Sequence, residues 1–355
     1  MKVELILVIL LISILAFGSC SIKPIKSKSE DVKIGLFYYV WYNGTLGQGH
    51  WNGTPSDDPT SKKWAVVDEP LLGFYNSSDP KTIKQHMEWF KLLGVDFLII
   101  SWWGMNSFED AVTKILFQQA EVYYPDLKLV IMVEGFNERA DNYDFGYIRN
   151  YIKTTYYDVY PNMSLRINNL PLLCWYNAEN MTGTVDKPRP DRVAQIHNDS
   201  LFEDRIIGHN NYVDWCAWTP STVNSSRIPV LRDGFTVVEP RFDYSHINST
   251  FESYDPNYSE GLYEEQWSQV ANWTKTQDVR YAAIYSWNEY HERSQIEPHN
   301  TTDSNLVLKP FVETYHNMLT IPEFPSFLIL PLFFITTLLG VIFCRKKLAR
   351  ARAYI

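Results

Sequence analysis

Between Lys33 and Tyr290 the chain alternates short apolar runs with amphipathic stretches about eight times, and that rhythm constrains the fold more than any other feature. "KIGLFYYVW" from Lys33 reads as a strand. "DPKTIKQHMEWFKLLG" from Asp79 reads as a helix, with Asp79 as N-cap, Pro80 in the first turn and Gly94 at the end. "VDFLIISWWG" from Val95 is continuous enough to be a strand buried on both faces. The cycle continues with a helix near Phe108 to Tyr123, "LKLVIMVEG" from Leu127, a helix near Phe145 to Tyr157 and "LPLLCWYN" from Leu170. After a helix near Pro190 to Asn198 come "DRIIGHN" from Asp204, "YVDWCAWT" from Tyr212 and "GFTVVEPRF" from Gly234. A helix near Glu264 to Thr276 precedes the last run, "YAAIYSWNEY" from Tyr281. This order predicts an α/β protein, a (β/α)8 TIM barrel, with an open doubly wound sheet as the alternative. There is no internal repeat. The stretch from Trp41 to Asp79 is long enough to read as an active-site loop.

The ends carry a different pattern. Lys2, an apolar stretch from about Leu5 to Phe17 and the small residues Gly18 and Ser19 read as a signal peptide over 1–20, with lipid modification of Cys20 as an alternative ending. Residues 21–32 then form a linker and 33–316 the single barrel domain. A stalk containing Pro322 and Pro325 spans 317–326. Residues 327–344 are uncharged and of the length of a transmembrane helix. The basic tail 345–355, with Arg345, Lys346, Lys347, Arg350 and Arg352, places the C-terminus in the cytoplasm and the domain outside the cell membrane.

Charge and sequons agree with that placement. Without Lys2, Glu4 and the five tail cations, 26 basic side chains face 40 acidic ones, a net of about −14 that excludes nucleic acid or anionic lipid as the domain's partner. Asn-x-Ser/Thr sites begin at Asn43, Asn52, Asn76, Asn162, Asn180, Asn198, Asn224, Asn248, Asn257, Asn272 and Asn300, a density that suits an extracytoplasmic glycoprotein. Cys174 and Cys216, the two cysteines of the domain, form either one disulfide or two buried thiols, with the thiols preferred.

In a barrel the chemistry sits at the C-terminal strand ends. Read in order, those ends supply Tyr39, Trp41 and Tyr42; Trp102 and Trp103; Glu134; Trp175, Tyr176 and Asn177; Trp218; Glu239; and Trp287, Asn288, Glu289 and Glu292. Sugar rings stack their C–H faces on indoles and phenols while their hydroxyls need carboxylate and amide partners, so this mixture points to a carbohydrate. Glycosidic cleavage needs one protonated and one ionised carboxyl, and Glu289 and Glu292 can divide those roles if one is more buried. Two glutamates at this spacing are commonly solvated surface acids, but here they follow a buried strand among aromatics. Glu134 either binds substrate or meets an internal basic partner. His50 and Trp51 in "GHWN" suit a substrate clamp, although a loop histidine is often plain surface. Of Trp102 and Trp103, which alternate faces, one belongs to the core and one to the cleft. Glu239 is read as a structural partner of Arg241, and His86 as a structural helix residue. There is no H-E-x-x-H, phosphate loop or G-x-S-x-G element, so neither metal nor cofactor is expected.

"FYYVWYNG", "GHWN", "SSDPKTIKQHMEWFKLLGVDFLIISWWG" and "YSWNEYHERSQIEP" together resemble glycoside hydrolase family 99, the endo-alpha-1,2-mannosidase and mannanase family. The resemblance spans roughly Lys33 to Pro298. It implies a (β/α)8 barrel that cleaves α-linked mannose-containing glycans with retention, without metal. Glu292 is then the general acid/base and Glu289 the base that deprotonates the sugar's own 2-hydroxyl, through a 1,2-anhydro intermediate. Glu134 matches a substrate-contacting glutamate, and Trp102 or Trp103 an aromatic wall. Tyr290 and Arg293 stand where the family commonly has Trp and Gly, and Arg293 either depresses the neighbouring acid or binds an acidic sugar. Rival readings are a glycan-remodelling transferase on the same barrel, a non-catalytic glycan-binding surface protein and a structural protein of the cell envelope.

Overall fold

The computed structural model describes residues 32–44, 49–51, 66, 68–134, 145–176, 200–208, 215–216, 229–242 and 260–299, all within the unit Asp31–Leu319. The signal segment, the stalk, the apolar run 327–344, the expected helix near 190–198, Asn177 and Trp218 lie outside the described residues. Among the described residues no helix is long and apolar enough to cross a membrane.

Among the described residues nine strands form one sheet. They are β1 Lys33–Tyr39, β2 Phe97–Trp102, β3 Lys128–Glu134, β4 Arg166–Ile167, β5 Leu170–Tyr176, β6 Glu203–Gly208, β7 Trp215–Cys216, β8 Phe235–Val238 and β9 Tyr281–Ile284. Their order is β7-β6-β5-β3-β2-β1-β9-β8, with β4 paired antiparallel to β5 through the left-handed Asn168 and Asn169. Without β4, the eight parallel strands run in cyclic chain order, and the seam falls between β7 and β8, which lie close together. The result is a curled, (β/α)8 barrel-like sheet.

Four helices are described: α1 Pro80–Leu93, α2 Phe108–Tyr123, α3 Phe145–Ile152, which continues into a π turn over Lys153–Tyr157, and α4 Glu260–Thr276. α1 starts as its sequence implies. The Asp79 carboxylate accepts from the Lys81 N–H, and Gly94 ends the helix at φ 68° with its own N–H turned back to the last carbonyls. Such an N-cap is worth about 1 kcal/mol.

Period-two alternation divides the strand side chains into two layers. Leu36, Leu98, Ile100, Leu129, Ile131 and Leu173 pack against Ile83, Phe90, Leu116 and Phe117 of the helices. Phe37, Phe97, Ile99, Val130, Met132, Leu172, Phe235 and Ala283 fill the inside of the curl. Gly35 leaves room for that interior, since a Cβ there would stand 2.3 Å from the Phe97 ring. Cys174 is buried and belongs to the inner layer.

Candidate active site

The same alternation brings side chains from separate strands to the inside of the C-terminal strand ends. Tyr39 and Tyr285 share the inner layer with Tyr176 packed against it, and Ser101 of β2 reaches across to Glu134 of β3. Trp102 and Trp103 separate by parity. Trp102 is fully buried on the helix side and donates its indole N–H to Asp110. It does not line the cleft, because its ring belongs to the sheet–helix layer. Trp103 is half-buried, donates to the Ser101 hydroxyl at 2.8 Å and has its ring 5.9 Å from that of Trp41.

Three carboxyls form the centre. Glu289 is buried, its backbone N–H held by the Ser286 hydroxyl and its Oε1 accepting from the His291 N–H at 3.0 Å. Burial, and then the neighbouring Glu292 charge, push its pKa well above the carboxylate range. Glu134 is buried as well. Burial raises its pKa to about 8, the Ser101 hydrogen bond opposes the shift, and Glu292 adds to it. Glu292 is less enclosed and accepts a 2.6 Å hydrogen bond from the Tyr285 hydroxyl, which itself accepts from Tyr39 at 3.0 Å. Carboxyls this mutually repulsive cannot all ionise together, so the cluster retains protons at neutral pH.

An aromatic wall flanks them. Trp41 lies 4.5 Å from Tyr39 by ring centroids and stacks on His50 at 4.3 Å and 10°. His50 is lowered to about 4, first by burial and then by His291, so it stands neutral at physiological pH. His291, between the two glutamates, packs its ring 5.5 Å from that of His50 and bonds to the His50 carbonyl. Trp51 and Asn288 are buried behind this wall and do not line it. Trp51 stacks on Tyr42 and donates to the Tyr75 carbonyl. Asn288 grips both backbone polar groups of Tyr39, which fastens the turn carrying Glu289 to β1.

Arg293 has a physical partner that its sequence context did not reveal. It stands at φ 50°, and its guanidinium meets Asp68 at 3.2 and 3.3 Å. Asp68 also binds Arg241 at 3.0 Å and Gln295 at 2.6 Å. Burial would raise the Asp68 pKa, yet the two arginines outweigh it and hold the carboxylate ionised. Arg241 forms an ion pair with Asp68 of the long loop, and the Gln266 side chain binds the Glu239 backbone N–H and carbonyl. Sequence reasoning missed Asp68, Ser101 and Tyr285. Parity along "YAAIYSW" was the one available signal, for Tyr285. Among the described residues no group of acids, histidines and cysteines is arranged to hold a metal ion.

A barrel-like α/β fold with clustered carboxyls and an aromatic wall at its C-terminal strand ends is the class that these features define. Residues 31–185 match the model of glycosyl hydrolase family 99. Mouse glycoprotein endo-alpha-1,2-mannosidase is 26% identical over 133 residues, 30% of this chain and 27% of that protein, and the rat protein is 25% identical over 136 residues, 30% and 28%. The match therefore spans about a quarter of the length of these curated relatives. The GH99 endo-alpha-mannosidase from Bacteroides thetaiotaomicron superposes with a TM-score of 0.57 at 19% identity, covering 81% of this chain and 98% of that one. A glycoside hydrolase-like protein gives 0.53 at 12% identity, over 82% and 94%. These two likenesses show a shared fold. By these matches the chain is a relative of glycosyl hydrolase family 99, the likeness lying in residues 31–185.

Proposed function

We propose that the protein is a retaining glycoside hydrolase of the endo-α-mannosidase type, acting on α-linked mannose-containing glycans. The observation that carries this reading is the Glu289–Glu292 turn, which gathers two unequal carboxyls beside Glu134 and the Trp41–Trp103 wall. Glu289 accepts the proton of the sugar's 2-hydroxyl as that oxygen attacks the anomeric carbon. Glu292 protonates the departing oxygen, leaving a 1,2-anhydro sugar. Glu292 then takes a proton from the incoming water, the ring opens, and Glu289 returns its proton to the 2-oxygen. Two inversions leave the anomer retained.

Burial favours the proton on Glu289 in the empty site, whereas this mechanism starts with it on Glu292. Both arrangements hold one proton on the pair. A substrate hydroxyl donating to Glu289 stabilises its ionised form, and the proton then resides on Glu292.

The remaining sequence expectations complete the proposal. The (β/α)8 barrel domain lies outside the cell membrane, follows a cleaved signal peptide, carries glycans at its sequons and is anchored by residues 327–344. Among described sequons, Asn43, Asn76, Asn162 and Asn272 are exposed, as that requires.

The test is incubation of the full chain with an α-mannan, with NMR of the first-formed anomer. Release of the α-anomer by wild type, with loss of turnover in Glu289→Gln and Glu292→Gln, is expected. A β-anomer contradicts the mechanism, and no turnover with retained binding replaces the hydrolase by a glycan-binding protein.

A further inference from the structure

The Ile296-Glu297-Pro298 element and His86 have no part in the chemistry above, yet they meet in a polar cluster behind the site. Glu297 is fully buried. Its Oε2 accepts from the hydroxyls of Tyr75 at 2.8 Å and Tyr290 at 3.1 Å, and its Oε1 lies 2.9 Å from His86 Nε2. His86 Nδ1 lies 2.8 Å from the Tyr38 hydroxyl. With Nε2–H donating to Glu297 and Tyr38 donating to Nδ1, a neutral imidazole satisfies both ring nitrogens, and the carboxylate receives three donors. The groups come from β1, the loop before α1, α1 itself and the turn after β9.

Two of these connections lead to residues adjoining Glu289 in sequence. Tyr290 turns its ring away from the site and bonds Glu297 directly. Asn288 donates to the Tyr75 hydroxyl at 3.1 Å, and Tyr75 donates to Glu297. The turn is also closed at its base, where the Glu297 N–H donates to the Trp287 carbonyl at 2.8 Å. Glu289 therefore hangs between two anchors that converge on one carboxylate.

We propose that Glu297 is a positioning residue for Glu289, fixing the place of its carboxyl through Tyr290 on one side and Asn288–Tyr75 on the other, with His86 completing the acceptor's partners. This rests on the hydrolase reading for its kinetic consequence but not for its geometric one. A carboxylate suits the place because every neighbour donates. Gln in its stead presents an N–H₂ either to a tyrosine hydroxyl or to His86, which must then change tautomer and give up the Tyr38 donor. The isosteric change thus keeps the volume and breaks the convergence.

The experiment pairs kinetics with crystallography on the full chain and its Glu297→Gln variant. Misplacing a reacting group by about 1 Å costs on the order of 100-fold. The expected result is a fall in kcat of about that size on α-mannan oligosaccharides with KM changed less than about twofold, and a Glu289 carboxyl displaced by more than about 0.5 Å. Unchanged kcat below the variant's melting temperature, or a rise confined to KM, overturns the proposal. If wild type is inert, the hydrolase reading fails, and the displacement alone decides: an unmoved Glu289 overturns positioning. Tyr290→Phe and Tyr75→Phe, which each delete one donor, serve if Glu297→Gln does not fold. Each is then expected to lower kcat about tenfold, as partial loss of the same anchoring, and full activity in both overturns the proposal.

Discussion

Two carboxylate regions at neighbouring strand ends have opposite surroundings. Asp110, between β2 and the helices, accepts from the Trp102 indole, the Asn106 N–H, the Lys114 ammonium and the hydroxyls of Tyr151 and Tyr156. Burial would raise its pKa, but these donors prevail and hold it ionised. Glu134, inside the curl, has the Ser101 hydroxyl and a neighbouring negative charge, and is pushed up to about 8. Burial pushes both acids up, and the donors offset it at Asp110 but not at Glu134, which separates an ionised structural clamp from an acid that keeps its proton.

The largest effect that could break this comparison is kinetic. Glu289→Gln and Glu292→Gln should each reduce hydrolysis of α-mannan by about 10³-fold or more, whereas Asp110→Asn should leave kcat and KM nearly unchanged in whatever fraction folds. Its cost should appear in denaturant unfolding, as about 3 kcal/mol, because buried Trp102 and Tyr156 donors lose a charged acceptor. Equal kinetic losses in both regions would dissolve the distinction.

Glu134→Gln sharpens it through pH. The folded chain holds the Glu134 proton up to about pH 8, while the unfolded chain releases it near the ordinary 4.5. Wild-type stability therefore falls across that window as pH rises. The variant should gain on wild type by up to about 1.4 kcal/mol per pH unit there, and thermal melts at pH 5 and pH 8 check it. A constant difference would mean that Glu134 is ionised throughout.

The smallest effects separate the paired tryptophans. Trp103→Ala should raise KM about tenfold with little change in melting temperature, and Trp102→Phe should destabilise by about 1–2 kcal/mol with KM unchanged. Isothermal binding of a mannose oligosaccharide and thermal melts read the two.

Much of this arrangement was legible in the sequence because it follows from periodicity. Alternation along "VDFLIISWWG" already assigns Trp102 and Trp103 to opposite faces, and the Asp79–Pro80–Gly94 pattern delimits α1 to the residue. Contacts over long sequence separations were not legible. Asp68 meets Arg241 and Arg293 across more than 170 residues, and nothing in "VVDEP" marks it. Glu297 stood in view within a motif, yet its meaning depends on Tyr75 and His86, which only the folded sheet brings near. Burial also made two expected ligands, Trp51 and Asn288, into supports of the wall.

The most direct measurement uses an α-1,3-linked mannosyl disaccharide bearing an α-fluoride, whose leaving group needs no protonation. If Glu292 is the acid and Glu289 the base, Glu292→Gln should release the first equivalent of fluoride at a rate near that of wild type while failing on α-mannan, and Glu289→Gln should fail on both. Fluoride release by Glu289→Gln, or equal loss in both variants, would contradict the division of labour between the two carboxyls.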